Sequence, residues 1–282
     1  DDRTSRGLGD VYKRQVTQSL RQQLEEAGAN VIVDGILDIE GKDYIDTGYT
    51  EWGASGLAAV WAENNTRESI YEAFRRKETF ATSGSRIKVR FFGGYNLEKI
   101  LEEGDPIKYA YANASSMGSD ILQNQNQVPE FMVWAIRDLK RAPLDRVQII
   151  KGWTELSGKP HEKVYDVACS DGRKANIKTG LCKDSRAKVN LSNCKISKNF
   201  GADELKVVWK DPDFNPNLKA FYYVRVLENP TCRWSTWDAI KSGEKPRGDL
   251  PSTIQERAWT SPIWYVPDND GIEVRNILPD DV

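Results

Sequence analysis

A single histidine, His161, serves the whole 282-residue chain, and that scarcity rules out several chemistries. Transition-metal sites draw on His, Cys and carboxylate ligands held in fixed geometry. Here there is neither a His-x-His nor a His-Glu-x-x-His motif. A Ser-His-Asp triad would have to use His161. That residue lies in the polar run Gly158-Lys159-Pro160-His161-Glu162 and reads as a solvated turn residue. The four cysteines, Cys169, Cys182, Cys194 and Cys232, contain no Cys-x-x-Cys spacing, against a zinc ribbon or a dithiol redox centre. There is no Gly-x-Ser-x-Gly elbow and no Gly-Lys-Ser/Thr phosphate loop. No run of 18 apolar residues occurs, so no transmembrane helix is expected. Neither sign of charge dominates: 40 basic residues stand against 42 acidic ones, for a net charge of −2. Such a chain has no basic field to recruit nucleic acid.

What remains is an ordinary globular composition, 39% hydrophobic and 29% charged, with an excess of aromatics. Nine Trp and 11 Tyr point to β-structure, which accommodates large rings on its pleated surface. Val16 to Ala29 reads as a short helix, with Leu20, Leu24 and Ala27 on one face. Residues 30–56 are interrupted by five glycines and read as short strands or loop. Asn65 followed by Glu68 forms a capping-box pattern that starts a helix over roughly 66–77. Thr79–Thr82 reads as a strand turning at Ser83-Gly84, and a half-buried strand starts at Ile87.

Beyond residue 87 the pattern is β. Strands are expected at Phe131–Ile136, Arg146–Gly152, Lys163–Ala168, Leu205–Trp209, Ala220–Leu227 and Trp259–Val266. In AFYYVRVL, Phe221, Tyr223 and the Val224/Val226 pair bracket Arg225. This many short strands predict an antiparallel β-sandwich. Segments 169–200 and 228–257 read as loop, with a short helix at Ser235–Ser242. Asp211 and Asp213 around Pro212 read as turn residues. Trp234, Trp237, Trp259 and Trp264 are taken as core, with stacking on sugars as the alternative. The cysteines are taken as oxidised. A Cys182–Cys194 disulfide would tie down a long loop, although four cysteines allow three connectivities.

Several long runs are distinctive: GLAAVWAENNTRE (56–68), RRKETFATSGSRI (75–87), VQIIKGW (147–153), WKDPDF (209–214), FYYVRVLE (221–228) and AWTSPIWY (258–265). Over roughly 50–267 these closely resemble the C-terminal part of the DUF3604 family, which is related to PHP and amidohydrolase metal enzymes. A looser likeness is to carbaryl-hydrolase-like PHP proteins. The resemblance implies that the chain is a fragment of a metal-dependent hydrolase of phosphoester, ester or amide bonds and is not catalytic by itself. The metals of the complete protein (zinc, manganese or iron) would be held by Asp-x-His-x-His and Asp-x-His motifs lying upstream of residue 16. Asp1–Gln15 resembles a translated sequencing adapter, which would make it foreign to the protein.

The expected fold class is therefore an α+β fragment: residues 16–86 as the end of a PHP-like α/β barrel, 87–267 as a mainly antiparallel β-sandwich, and 268–282 as a tail. Glu63, Arg67, Thr82, Ser83 and Arg86, near the implied mouth of the barrel, are the candidates for contact with a small-molecule substrate. An arginine there could clamp a phosphate or carboxylate through two hydrogen bonds. The competing reading of Arg67 is a solvated helix face. Family resemblance and four cysteines together imply a periplasmic or secreted protein. The alternative function is a non-catalytic β-sandwich that binds carbohydrate.

Overall fold

A computed structural model describes residues 36–39, 42–45, 53–125, 127–197 and 199–268. The expected helix at 16–29, the tail at 1–15 and nearly all of 268–282 lie outside the described residues. The chain divides into two units, Asp1–Gly53 and Ala54–Val282. Within the first, Ile36–Ile39 and Lys42–Ile45 pair antiparallel as a hairpin.

The second unit is built on two sheets. In chain order the strands are β1 (Leu57–Val60), β2 (Thr79–Thr82), β3 (Lys88–Gly94), β4 (Ser115–Ser116), β5 (Asp120–Leu122) and β6 (Glu130–Ile136). They continue as β7 (Leu144–Thr154), β8 (Pro160–Cys169), β9 (Glu204–Lys210), β10 (Ala220–Glu228), β11 (Arg257–Thr260) and β12 (Ile263–Val266). An eight-stranded sheet runs β8-β7-β10-β11-β2-β1, with β12 beside β10 and β5 parallel to β12. A four-stranded sheet runs β9-β6-β3-β4. All pairings within these two sheets except β5–β12 are antiparallel. No sheet closes into a barrel among the described residues. Strands β1 and β2 complete the same sheet as β7 and β10, so the sheet runs across the division expected at residue 86.

Period-two alternation assigns the faces. Val89 and Phe91 of β3 and Phe131, Val133 and Ala135 of β6 share one buried cluster with Val147 and Ile149 of β7 and Tyr222, Val224 and Val226 of β10. Each fully buried Phe or Val contributes about 1.5–3 kcal/mol of hydrophobic stabilisation. The other face of β3 and β6 is also covered. Phe92 and Met132 pack with Leu97, Ile100 and Ala110, the last on helix α2 (Pro106–Asn113). The sequence carried that helix's start signal, an Asp105 cap whose side chain accepts from Lys108 N at 3.0 Å, followed by proline at the first turn. The outer face of the eight-stranded sheet has no second buried cluster among the described residues.

Helix α1 spans Arg67–Arg75. Its cap is Thr66, where Asn65 was expected: Thr66 is extended and its hydroxyl accepts from Ser69 N at 3.2 Å. Ser69 in turn accepts from Asn64 N at 3.1 Å, so Ser69, and not Glu68, ties the entering chain to the first turn. Helix α3 (Trp234–Ser242) ends on Gly243 in the left-handed region, the usual helix stop. The single strand expected over Trp259–Val266 is two, because Ser261-Pro262 interrupts it and proline has no amide to give a ladder.

Two further expectations are corrected. His161 is no turn residue. The turn closes earlier, where Glu155 N donates to Lys159 O, and Pro160 opens β8 at a position where proline is tolerated. His161 then stacks on Trp153 at 5.1 Å, with Nε2 2.6 Å from Glu155. The Cys182–Cys194 pairing is also wrong: the disulfides are Cys169–Cys182 and Cys194–Cys232. The loop after β8 folds straight back on its own strand, as Asp166 N donates to Gly180 O. This brings the Cα atoms of Cys169 and Cys182 to 6.1 Å, inside disulfide range. Cys194 is thereby left for Cys232, at 5.6 Å.

Candidate functional site

The outer face of the eight-stranded sheet is where uncommitted chemistry collects. Inner positions of β10 are Tyr222, Val224 and Val226, so alternation turns Phe221, Tyr223 and Arg225 outward. Register sets Arg225 opposite Trp259 of β11 and Phe221 opposite Trp264 of β12. The rings of Phe221 and Trp264 lie 5.1 Å apart, and those of Phe221 and Tyr223 are nearly parallel at 6.4 Å. Gly152 on β7 makes this possible. The Phe221 ring occupies the space where a Cβ at 152 would stand, so any larger residue would lift the ring off the sheet. From Phe221 to Arg225 the shelf extends about 13 Å along the strand.

The expectation that the four C-terminal tryptophans are core is corrected here. Trp264 is 44% exposed and Trp237 39%, while Trp234 and Trp259 are half-buried. For Trp259 and Trp264 the cause is the strand face each occupies, since an aromatic in a strand is buried only if its face looks into the core, whereas Trp234 and Trp237 lie on the short helix α3.

Two arginines flank Trp259. The Arg257 guanidinium lies 5.9 Å from the Trp259 ring, with Nε donating to Gln255 O at 3.1 Å. Arg225 Nε donates to Gln148 Oε1 at 2.7 Å. Neither guanidinium forms a salt bridge with a carboxylate among the described residues. Burial lowers the Arg257 pKa from its ordinary value, the neighbouring charges of Arg225 and Arg146 add to this, and Glu256 opposes it. Arg257 also borders a cavity of about 390 Å³ whose walls include Pro230, Thr253, Ile254 and Gln255.

The expected substrate-contact residues divide into two groups. Thr82 ends β2, and Ser83 and Arg86 follow it on the connection to β3. Ser83 N donates to Arg257 O at 2.9 Å, Arg257 N donates to Ser83 Oγ at 2.9 Å, and that hydroxyl donates to Glu256. Ser83 thus fixes the backbone that presents Arg257. Thr82 is buried and accepts from Gly84 N, and exposed Arg86 gives its amide to Asp138. Glu63 and Arg67 are exposed and lie beyond the opposite end of β2, before and at the start of α1. The structure does not bring them to Ser83. Arg225 and Arg257 were not anticipated. The alternation in AFYYVRVL held the signal, because the face that carries an arginine is the face that looks to solvent.

Behind the junction lies Glu228, fully buried, with neither carboxylate oxygen hydrogen-bonded in good geometry. A register shift between Leu227 and Glu228 accompanies its place at the end of the strand. Burial raises its pKa to about 8, opposed by the nearby Ser85 hydroxyl and assisted by Glu256 and Asp138.

The metal ions implied by resemblance find no fit here. Among the described residues no group of three or more His, Cys, Asp or Glu side chains could hold a metal ion. No helix among them is long and apolar enough to cross a membrane.

The family described as "Protein of unknown function (DUF3604)" matches residues 12–267, reaching further toward the N-terminus than the motifs that suggested it. No curated protein and no solved structure matches the chain. With nearly all of its length in that match, the chain belongs to the DUF3604 family.

Proposed function

We propose that the β unit is a carbohydrate-binding module whose binding surface is the outer face of the eight-stranded sheet. The observation that carries this reading is the row of outward rings, Phe221, Tyr223, Trp259 and Trp264, on a sheet face with no buried cluster over it among the described residues. One face of a pyranose is a plane of C–H bonds. Those weakly positive hydrogens suit the negative face of an aromatic ring, and the apolar areas leave water together. Rings already fixed on a sheet lose little freedom when ligand arrives.

Tryptophan fluorescence titration with soluble polysaccharides tests the proposal. A saturable spectral change is expected with at least one of them. Trp264→Ala should weaken that binding about five- to tenfold, the loss of about 1 kcal/mol of ring contact. The exposed side chain makes the change mild for the fold. Absence of any response, or undiminished binding by W264A, overturns the reading.

A second reading follows from the family resemblance: the module accompanies a PHP-type metal-dependent hydrolase unit acting on a small-molecule substrate. The favouring observation is that the 82–86 and 256–257 segments, both within or beside runs that carry the resemblance, meet in one hydrogen-bonded junction. The two readings are compatible, since a binding face can serve an attached hydrolase. Two disulfides support a periplasmic or secreted location, because such bonds persist in oxidising compartments.

A further inference from the structure

Resting on the carbohydrate reading, we propose that the ligand is an acidic polysaccharide, a chain of uronic acid residues whose carboxylates are bound by Arg225 and Arg257 on either side of Trp259. Arg225 is the cross-strand partner of Trp259, and Arg257 stands two residues before it on the same strand and face. A sugar ring stacked on Trp259 therefore has a guanidinium at two of its edges.

Both arginines are held by their Nε atoms, Arg225 on the Gln148 side chain and Arg257 on the Gln255 carbonyl. Their terminal nitrogens have no hydrogen-bond partner among the described residues. Gln148 is fixed in turn, donating to Asp166 at 2.6 Å. Asp166 accepts from Cys182 N at 2.6 Å as well, so the disulfide loop anchors this chain of contacts. The nearby acids are otherwise placed: Asp166 is engaged as described and lies 3.7 Å from Arg146 Nε, Glu256 accepts from Ser83 Oγ, Glu162 sits on the outermost strand, β8, and Asp120 lies opposite Trp264 on β5. Arg225 crowds Arg257 with like charge, which Glu256 only partly opposes, and Arg146 is already paired with Asp145, so an anion between Arg225 and Arg257 would relieve the crowding.

A uronate suits this geometry. Its carboxylate is attached directly to the ring carbon, so a ring lying flat on Trp259 carries its carboxylate at the level of the flanking guanidinium groups. A planar carboxylate accepts two parallel N–H donors from arginine. A sulfate ester, carried on a rotatable oxygen, has no such fixed relation to the ring.

The test compares soluble polygalacturonate, alginate and hyaluronan with their carboxyl-reduced forms, in which each carboxylate has become a primary alcohol. Fluorescence titration at low and moderate salt reads the affinity, with dextran sulfate as the sulfated probe. At least one uronate chain should bind ten or more times tighter than its reduced form, with the advantage shrinking as salt rises. Arg225→Gln and Arg257→Gln should each remove most of that advantage and leave binding of the reduced form unchanged. Comparing ligands requires no variant to fold, so the test stands even if a substitution disturbs the sheet. Equal binding of acidic and reduced chains overturns the inference and leaves the aromatic reading intact. Tighter binding of dextran sulfate than of any uronate chain also overturns it. Absence of binding by the unsubstituted protein to every chain, acidic and reduced alike, overturns the aromatic reading itself.

Discussion

Glu228→Gln is expected to stabilise the protein at pH 8 by about 4 kcal/mol and to leave it almost unchanged at pH 4.5. The magnitude follows from a carboxyl whose pKa rises from 4.5 in the unfolded chain to about 8 in the fold, at about 1.4 kcal/mol per pH unit. Below pH 4.5 both states hold the proton and the group contributes no pH dependence. Between 4.5 and 8 the unfolded chain loses its proton while the fold retains it, so stability falls as pH rises. Above 8 both states are ionised and the full penalty of burying the charge remains. Glutamine keeps the shape and carries no charge, so the variant lacks this slope. Urea unfolding of both proteins at several pH values from 4.5 to 9 measures it. Parallel curves for the two proteins would mean that Glu228 finds a partner when ionised.

Asp211→Ala should cost about 3–5 kcal/mol. The sequence marks Asp211 as a turn residue beside Pro212, but its side chain is a buried hub. Its carboxylate meets Lys151 Nζ at 2.5 Å, accepts from the Tyr222 hydroxyl at 2.7 Å and caps Asp213 N at 2.9 Å. Burial, and then the Asp211 charge, push the Tyr222 hydroxyl pKa up, so the phenol stays a donor. Lys151 is almost wholly buried, and besides Asp211 its ammonium donates to Asp213 O at 2.8 Å and lies 5.1 Å from the Trp153 ring. Alanine at 211 leaves an ammonium in the interior without its counter-charge, which is far more costly than removing both charges together. The double variant Asp211→Ala/Lys151→Met should therefore regain most of the loss. Denaturant midpoints at pH 7 decide it. A single-variant loss under 1 kcal/mol, or a double variant no better than the single, would show that solvent reaches Lys151.

Strand content was legible where alternation was clean. VQIIKGW and AFYYVRVL became the two long central strands, each a residue or more longer than read, because the sheet on both sides extends the ladder beyond the apolar run. Alternation alone gives two faces, and only a charged residue such as Arg225 marks the one that looks outward. Tyr222 and Tyr223 differ little as residues, yet one is core and one is shelf. For the same reason the sequence of Trp259 and Trp264 reads as interior while the sheet turns both rings outward. Pairings between distant segments were not legible: Ser83 meets Arg257 only because β2 and β11 are neighbours in the sheet, and nothing local to either segment specifies that. The cysteine connectivity was hidden similarly, since it depends on the loop after β8 returning to its own strand. Of the anticipated contact residues, Ser83 has a defined role in holding Arg257, whereas Glu63 and Arg67 lie beyond the far end of β2.

The outer face of the eight-stranded sheet is the proposed ligand-binding surface. Amide chemical-shift mapping of the isotopically labelled protein, titrated with the uronate chain that quenches its tryptophans best, tests this most directly. The account predicts that the largest shifts fall on Ile150–Gly152, Phe221–Arg225, Arg257–Trp259 and Trp264, together with the indole signals of Trp259 and Trp264. Shifts confined to the α1–α2 side, around Tyr71, Phe74 and Tyr111, would contradict it and assign the ligand to another surface.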